Sequence, residues 1–349
     1  MWFKVDKLIR FHYVSEAPRP KAGDFPSTRW RAGCEQRKCL FDCAPLAHLK
    51  DRVCGTLAGL TIMFKNIPIP PSFSLIKKGN VFILLKDEYK EAVLKQGVDD
   101  LSTFLKNSRQ TSRYHSGRAL HPCLPLEDNK RMVFRQYLHG GLLRAITGKL
   151  YCFGARSFRE LALTEEIRSC GIPTIPPIGA IHHRIFYPLY RAYFLSLEVP
   201  QAIDLIQYFN DLGGHPSREN LSSKRKTIRS AGLLIRKFHQ AGFFHSDLQL
   251  KNILLAGDQL LLIDFDRSYR KSNLSIRERI KNLLRLNRSV EKWKRVGLPI
   301  TRTDRWRFFL AYAGDDNMTR ESMEQALQTY RLRSLFYRFG WAIEKILGS

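Results

Sequence analysis

The sequence predicts an α+β fold of two lobes, a small β-rich lobe followed by a larger helical one. Three observations predict it. Short apolar pieces bounded by turn residues recur from about residue 73 to about 197, as strands do. Beyond them, apolar side chains fall at helical spacing. Strands first and helices later, over about 270 residues, imply two lobes with a cleft between them.

The elements follow in order. Residues 1–71 form a divergent N-terminal segment, expected to be poorly ordered, with scattered proline and no sustained periodicity; Ile67-Pro68-Ile69-Pro70-Pro71 ends it. Residues 72–200 make up the first lobe. Within it, 80–85 predicts a strand, 88–96 a short helix and 131–137 another strand. A helix is predicted over 157–170, closed by Gly171 and Pro173, with strands over 175–181 and 187–197. Residues 201–349 make up the second lobe. Ile228, Ala231, Leu234, Ile235 and Phe238 line one face of a helix that ends near Gly242. Short strands are expected at 243–245 and 260–263, and further helices over 275–290 and 320–346.

Between the two short strands lies His245-Ser246-Asp247-Leu248-Gln249-Leu250-Lys251-Asn252. It resembles the kinase catalytic loop H-R-D-L-x-x-x-N. Twelve residues after Asn252 comes Asp264-Phe265-Asp266, which resembles the metal-binding D-F-G. Phosphoryl transfer from ATP is largely positioning and charge neutralisation, and these residue types suit it. Asp247 is the expected base for the attacking hydroxyl. Asp264 and Asn252 are the expected Mg2+ ligands, the amide adding an oxygen without further negative charge. His245 is expected to brace the loop. A solvated turn aspartate and a strand-end aspartate would each be unremarkable; their joint spacing, with apolar strands on both sides, favours chemistry.

Such a site also needs a basic strand residue paired to a helical glutamate. Arg135 and Glu160 are the candidates, with Glu165 and Glu166 as alternatives. Ser157 to Glu160 equally fits a capping box, which would turn Glu160 inward on its own helix. Arg135 equally reads as a solvated strand residue. No GxGxxG precedes Arg135; Ser112 to Arg118, with one glycine, is the weak counterpart of a phosphate-covering loop.

Charge narrows the partners. The formal net charge of +26 favours phosphate-bearing partners or an anionic membrane surface. No motif that reads nucleic acid is visible, and none is expected as a partner. No apolar run reaches the roughly 20 residues of a membrane span, and residues 1–20 lack a secretory apolar core, so a cytoplasmic location is expected. Cys34, Cys39, Cys43 and Cys54, with His48, lack zinc-site spacing and are expected to be reduced thiols. After Asp264, Ile276, Ile280, Leu283 and Leu284 form an apolar helical stripe, and Arg277, Lys281, Arg285 and Arg288 a basic one. The basic stripe is either a solvated face or an acceptor-binding one.

His245-Ser246-Asp247-Leu248 with Leu262-Ile263-Asp264-Phe265-Asp266-Arg267 resembles the bacterial lipopolysaccharide core kinases, the Kdo and heptose kinase family. The D-F-D-R ending is the specific cue. Val133-Phe134-Arg135-Gln136-Tyr137 before Gly140-Gly141-Leu142, Arg156 to Glu160 and Gly171-Ile172-Pro173 extend the resemblance over roughly 75–295. It implies a protein-kinase-like fold, ATP and Mg2+ as cofactors, and a lipid A-core saccharide as acceptor. It also implies a peripheral place on the cytoplasmic face of the inner membrane. Asp266 stands where many protein kinases have glycine. Two other readings are a small atypical kinase of the RIO or tRNA-modification-associated type, and a catalytically inactive kinase-like binding module. About ten residues separate Asp264 from the next helical pattern and no A-P-E follows, which argues against activation-loop regulation.

Overall fold

The run Val81-Phe82-Ile83-Leu84-Leu85 carries apolar side chains on both faces of a strand, so both faces of its sheet need cover. The computed structural model describes residues 67–111, 113–115, 121–138, 148–213 and 217–326 and supplies that cover. The chain enters through β1 (Phe73–Lys78) and β2 (Val81–Lys86), then helices α1 (Lys90–Lys95) and α2 (Leu101–Thr111). Next come β3 (Arg113–His115), β4 (His121–Pro125), β5 (Arg131–Gln136) and β6 (Tyr151–Cys152). Helix α3 (Arg156–Ser169) precedes the long hairpin of β7 (Pro177–Phe186) and β8 (Leu189–Leu197). The strands pair in the order β1-β2-β7-β8-β5-β4-β3, with β6 against β8. Each described pairing of this sheet is antiparallel.

Strand alternation sorts the core. Phe82, Leu84, Ala180, Tyr190 and Phe194 face α3 and pack with Phe158 and Leu161. Ile83, Leu85, Ile181, Tyr193 and Leu195 point the other way, against Val93, Leu101 and Phe104. Gly179 is fixed by this closeness: a side chain there would start 2.6 Å from Leu85 Cδ2.

After β8 come β9 (Ile203–Asp204), α4 (Leu205–Asp211) and α5 (Arg218–Gln240). Asp204 caps α4 by accepting from the Ile206 and Gln207 amides, and Ser217 caps α5. Strands β10 (Phe243–Phe244), β11 (Ile253–Ala256), β12 (Gln259–Leu262) and β13 (Tyr269–Arg270) lead to α6 (Ile276–Lys294) and α7 (Arg302–Ala313). A helical stretch covers 317–326. Ile228, Ile235, Phe238, Leu248, Leu262, Phe265, Leu286 and Phe309 belong to one core. A β-rich part and a helical part thus make up an α+β fold, strands first and helices later. The Leu262 amide donates to Pro173 O at 3.1 Å, joining the helical core to the chain that leads into β7.

Several elements depart from the sequence reading. Strand β1 and helices α2 and α7 were not foreseen. Helix α7, rich in aromatics, lacks a clean apolar stripe; its start is set by a capping box between Thr301 and Asp304. The 88–96 helix divides into a 3-10 turn, Asp87–Tyr89, and α1. On α6 the buried side chains are Asn282, Leu283, Leu286, Ser289 and Val290, so the polar Asn282 and Ser289 face inward and the expected apolar stripe is displaced. The expectations for the N-terminal cysteines and Gly140-Gly141, most of those for 1–71 and 320–346, and Ser112 and 116–118 of the weak loop, lie outside the described residues.

Candidate active site

Gly242, at φ +86, ends α5 and turns the chain into β10; a side chain there would start 2.0 Å from Lys271 O. Strand β10 pairs with β13, Phe243 opposite Arg270. Between them the loop 245–252 is bound on several sides. His245 is buried; its Nε2 lies 3.0 Å from Ile263 O, and its Nδ1 accepts from the Asp247 amide at 3.1 Å. Burial lowers the His245 pKa. Asn282, from α6, accepts from the His245 amide at 3.0 Å and donates to His245 O at 2.8 Å. Ser289, two turns on, accepts from the Leu250 amide at 3.3 Å.

The twelve-residue interval between Asn252 and Asp264 is a hairpin. Strands β11 and β12, four residues each, place Ile253 opposite Leu262. The Ile263 amide donates to Asn252 O at 3.0 Å, so the chain returns beside Asn252 just before Asp264. Asp264 has φ +67, a left-handed backbone that non-glycine residues rarely adopt. Strain of this kind is kept where the surroundings enforce it. Here Phe265, 1% exposed, stacks on Phe238 and packs against His245.

Asp247 is half-buried and surrounded by donors. Arg285 Nε and Nη2 donate to its Oδ1 at 2.9 and 2.5 Å. Gln249 Nε2 donates to the same oxygen, and Lys251 Nζ lies 3.5 Å from Oδ2. Burial pushes this carboxyl up, but the bonds from Arg285 and Gln249 and the charge of Lys251 outweigh it and hold its pKa at about 2. Asn252 Nδ2 donates to Asp247 O at 2.7 Å. With its nitrogen so engaged, the amide presents its oxygen as the remaining ligand atom.

Across from the loop, Arg135 of β5 joins the two parts of the fold. Its Nη1 donates to Asp264 Oδ1 at 2.8 Å, and its Nη2 donates to Glu160 Oε1 on α3. The guanidinium sits over the Tyr137 and Phe194 rings, 4.9 and 5.2 Å from their centroids. The Tyr137 hydroxyl donates to the second Glu160 oxygen. Glu160 is 2% exposed at its side chain, and burial raises its pKa against the pull of Arg135. Burial opposes the charge of Asp264 as well, yet Arg135 keeps its pKa below the ordinary value. Arg135 is therefore no solvated strand residue. The capping-box alternative also fails: α3 starts after Ala155 without a side-chain cap, and Ser157 Oγ donates to Ile181 O at 3.1 Å. Of the other acidic candidates, Glu165 pairs with Arg168 and Glu166 with Arg270.

A second ion pair runs parallel to the first. Arg156 Nε donates to Asp266 Oδ1 at 3.0 Å and its Nη2 to Oδ2, while the guanidinium lies 4.5 Å from the Tyr151 ring centroid. Ser246 Oγ donates to Asp266 O, and the Ser246 amide to Ser268 Oγ at 3.1 Å.

The structure thus joins Asp247 to Asn252, and Asp264 to Arg135 and through it to Glu160, with the backbone returning beside Asn252 just before Asp264. The sequence reading gave no role to Gln249, Lys251, Tyr137, Arg156, Asp266 or Asn282 at this site, and it put Arg285 on a basic stripe. Gln249 and Lys251 lie inside the motif itself. An inward-facing asparagine on an amphipathic helix was the one available signal for Asn282. Among the described residues no three His, Cys, Asp or Glu side chains cluster as a metal cage. Asp264 and Asn252 instead offer two oxygen ligands, which suits an ion that shares its coordination with substrate phosphates and water.

A sequence model of the Lipopolysaccharide kinase (Kdo/WaaP) family matches residues 115–312. A 3-deoxy-D-manno-octulosonic acid kinase of Pasteurella multocida is 28% identical over 226 residues, covering 62% of this chain and 89% of that protein. Kinases of the same description from Vibrio cholerae and Xanthomonas oryzae pv. oryzae are 34% and 35% identical. Each of those two matches covers 46% of this chain, and 65% and 62% of the respective relative. A solved structure described as WaaP in complex with acyl carrier protein matches with a TM-score of 0.42 at 18% identity, covering 64% of this chain and 92% of that one.

Proposed function

The chain belongs to the lipopolysaccharide kinase (Kdo/WaaP) family, and from that premise we propose that it moves the γ-phosphate of ATP to a hydroxyl of a Kdo sugar on lipid A. A phosphotransferase acting on a sugar hydroxyl is the family's activity. Kdo is preferred over heptose because the relatives described above carry the Kdo description.

One observation carries the assignment of roles: Arg135 holds Glu160 and Asp264 at once. Arg135 would bind the ATP phosphates, oriented by Glu160, whose second oxygen Tyr137 fixes. Asp247 would orient the sugar hydroxyl and accept its proton. Its low pKa keeps it an acceptor at neutral pH, and transfer completes as the oxygen's proton becomes acidic with bond formation. Asp264 and Asn252 would hold Mg2+, which neutralises phosphate charge when bound.

No helix among the described residues is long and apolar enough to cross a membrane. The acceptor is an anionic lipid, and the chain has a net charge of +26. A lipid acceptor of that kind and the positive charge support peripheral attachment to the cytoplasmic face of the inner membrane.

The decisive experiment incubates the full chain with γ-labelled ATP and either Kdo-bearing or heptose-extended lipid A, then locates the phosphate by mass spectrometry. Label on a Kdo hydroxyl is expected, and none with Asp247→Asn. Label on heptose alone would replace the Kdo assignment. Label on protein would favour the atypical protein kinase reading.

A further inference from the structure

Far along the β7–β8 hairpin from the chain's crossing into the helical core, three aromatic side chains stand in solvent. Phe153 is 63% exposed, Phe186 61% and Tyr187 68%. They form one group. Strand β6 pairs with β8 so that Tyr151 faces Tyr190 and Cys152 faces Leu189, and the Phe153 amide donates to Pro188 O at 3.1 Å. The Phe153 and Tyr187 rings meet edge to face, 6.0 Å apart. Phe153 holds this place at φ +55, a conformation that is costly for a bulky residue. The backbone bond to Pro188 and the Tyr187 ring hold that conformation, which leaves most of the Phe153 ring in water.

The surroundings are cationic. Residues 148–159 and 183–191 contain Lys149, Arg156, Arg159, Arg184 and Arg191 and no Asp or Glu. Arg156 is used internally by Asp266. Lys149 and Arg159 are exposed, and the Arg159 guanidinium lies about 3.8 Å from where a side chain on Gly154 would begin. Exposed aromatic rings rimmed by cations match the chemistry of a bilayer interface: rings enter at headgroup depth while Lys and Arg meet anionic lipid.

We propose that the Phe153–Phe186–Tyr187 tip is the site at which this protein docks on an anionic lipid bilayer. The inference rests on the membrane-borne acceptor proposed above and gives the attachment an address. A chain of contacts links the tip to the site. Phe153 is two residues from Tyr151, over which Arg156 lies, and Arg156 holds Asp266, two residues from Asp264.

The test uses the full chain and flotation with vesicles of phosphatidylethanolamine and phosphatidylglycerol, beside neutral phosphatidylcholine vesicles. Neither ATP nor sugar acceptor is needed, so the result stands whatever reaction the site catalyses. Wild type should float with the anionic vesicles alone, less so at high salt. Phe153→Ser/Phe186→Ser/Tyr187→Ser should lose about tenfold or more in partitioning, with unfolding temperature and ATP binding kept. The proposal is overturned if wild type fails to bind anionic vesicles, or if the triple variant binds them equally. It is also overturned if the tip instead holds two copies together, seen as a wild-type dimer without vesicles that the variant dissolves. As a second arm, Phe186→Trp should add blue-shifted emission over wild type on anionic vesicles; unchanged emission would place the tip outside the bilayer.

Discussion

Arg285 grips Asp247 through a single oxygen: Nε and Nη2 both donate to Oδ1, at 2.9 and 2.5 Å. The side chain that the helical pattern put among surface cations is thereby part of the setting of the proposed base, and the carboxylate's other oxygen is left to Lys251 and Asn252. Charged hydrogen bonds of this kind are worth about 1.5–3 kcal/mol each. Arg285→Gln should therefore lower turnover about tenfold to a hundredfold with ATP affinity unchanged, measured by steady-state kinetics and calorimetry. Lys281→Gln/Arg288→Gln, which alters exposed cations of the same helix, should instead raise the KM for the lipid acceptor and spare kcat. Equal effects of the two variants on kcat would refute the distinction.

Asp247 and Asp264 should fail differently. Asp247→Asn keeps the shape but loses the proton acceptor, so turnover should fall by about 10²–10⁴ while ATP still binds. Asp264→Ala removes the proposed metal ligand and one partner of Arg135, so activity should be abolished and Mg2+-dependent ATP binding lost. Titrating nucleotide with and without Mg2+ separates the two cases.

Arg135 cannot be replaced by lysine. One guanidinium reaches Glu160 and Asp264 from two different nitrogens while lying between the Tyr137 and Phe194 rings. A lysine ammonium is a point charge without that planar fork. Arg135→Lys should lose about a hundredfold in kcat/KM for ATP. Wild-type kinetics in this variant would remove Arg135 from the phosphate site.

The Arg156–Asp266 pair lends itself to a double-mutant cycle. Arg156→Ala and Asp266→Ala should each lower kcat, and together do little more than either alone, with a coupling of about 0.5–3 kcal/mol. Strict additivity would mean that the pair is a passive surface contact.

Acid should weaken the fold before it reaches the site carboxylates. His239 is buried, its ring nitrogens lying 2.8 Å from the Tyr312 hydroxyl and 3.2 Å from Asn282 Oδ1. Burial holds its pKa at about 4, and that of His182 at about 4 as well. A histidine whose folded pKa is depressed contributes its full share above about pH 6.5 and loses it as pH falls toward 4. At about pH 5 the loss for His239 is on the order of 2 kcal/mol. His239→Gln should flatten the fall of Tm between pH 7 and 5, whereas Asp247 and Asp264, with lowered pKa values, add their loss only at lower pH. A Tm profile of that variant parallel to wild type would refute the assignment.

The site was legible where chemistry sits on contiguous residues. Asp247 and Asn252 share one loop, and a tight hairpin explains why Asp264 follows at a fixed interval. Arg135 and Glu160 lie on separate elements, and the sequence offered competing local uses for both. Nothing local distinguishes Arg285 from Lys281 or Arg288, because only the packing angle of α6, set by inward Asn282 and Ser289, decides which cation meets the base. Strand β1 and helix α2 escaped for a related reason: each mixes a few apolar residues with polar ones and lacks a clear period, and the sheet's apolar faces recruit Phe73, Leu101 and Phe104.

The aspartate at 266 also has a pharmacological consequence. In many kinases the metal-binding loop turns over on a glycine, and the space its phenylalanine leaves behind becomes a selective drug pocket. Here the loop is pinned by Arg156 and Ser246, and Phe265 is locked between Phe238 and His245. Compounds that need that vacated space will find it filled. An antibacterial lead against this enzyme should be sought among molecules that fit the standing loop, with the Arg135 and Lys251 cations as anchors.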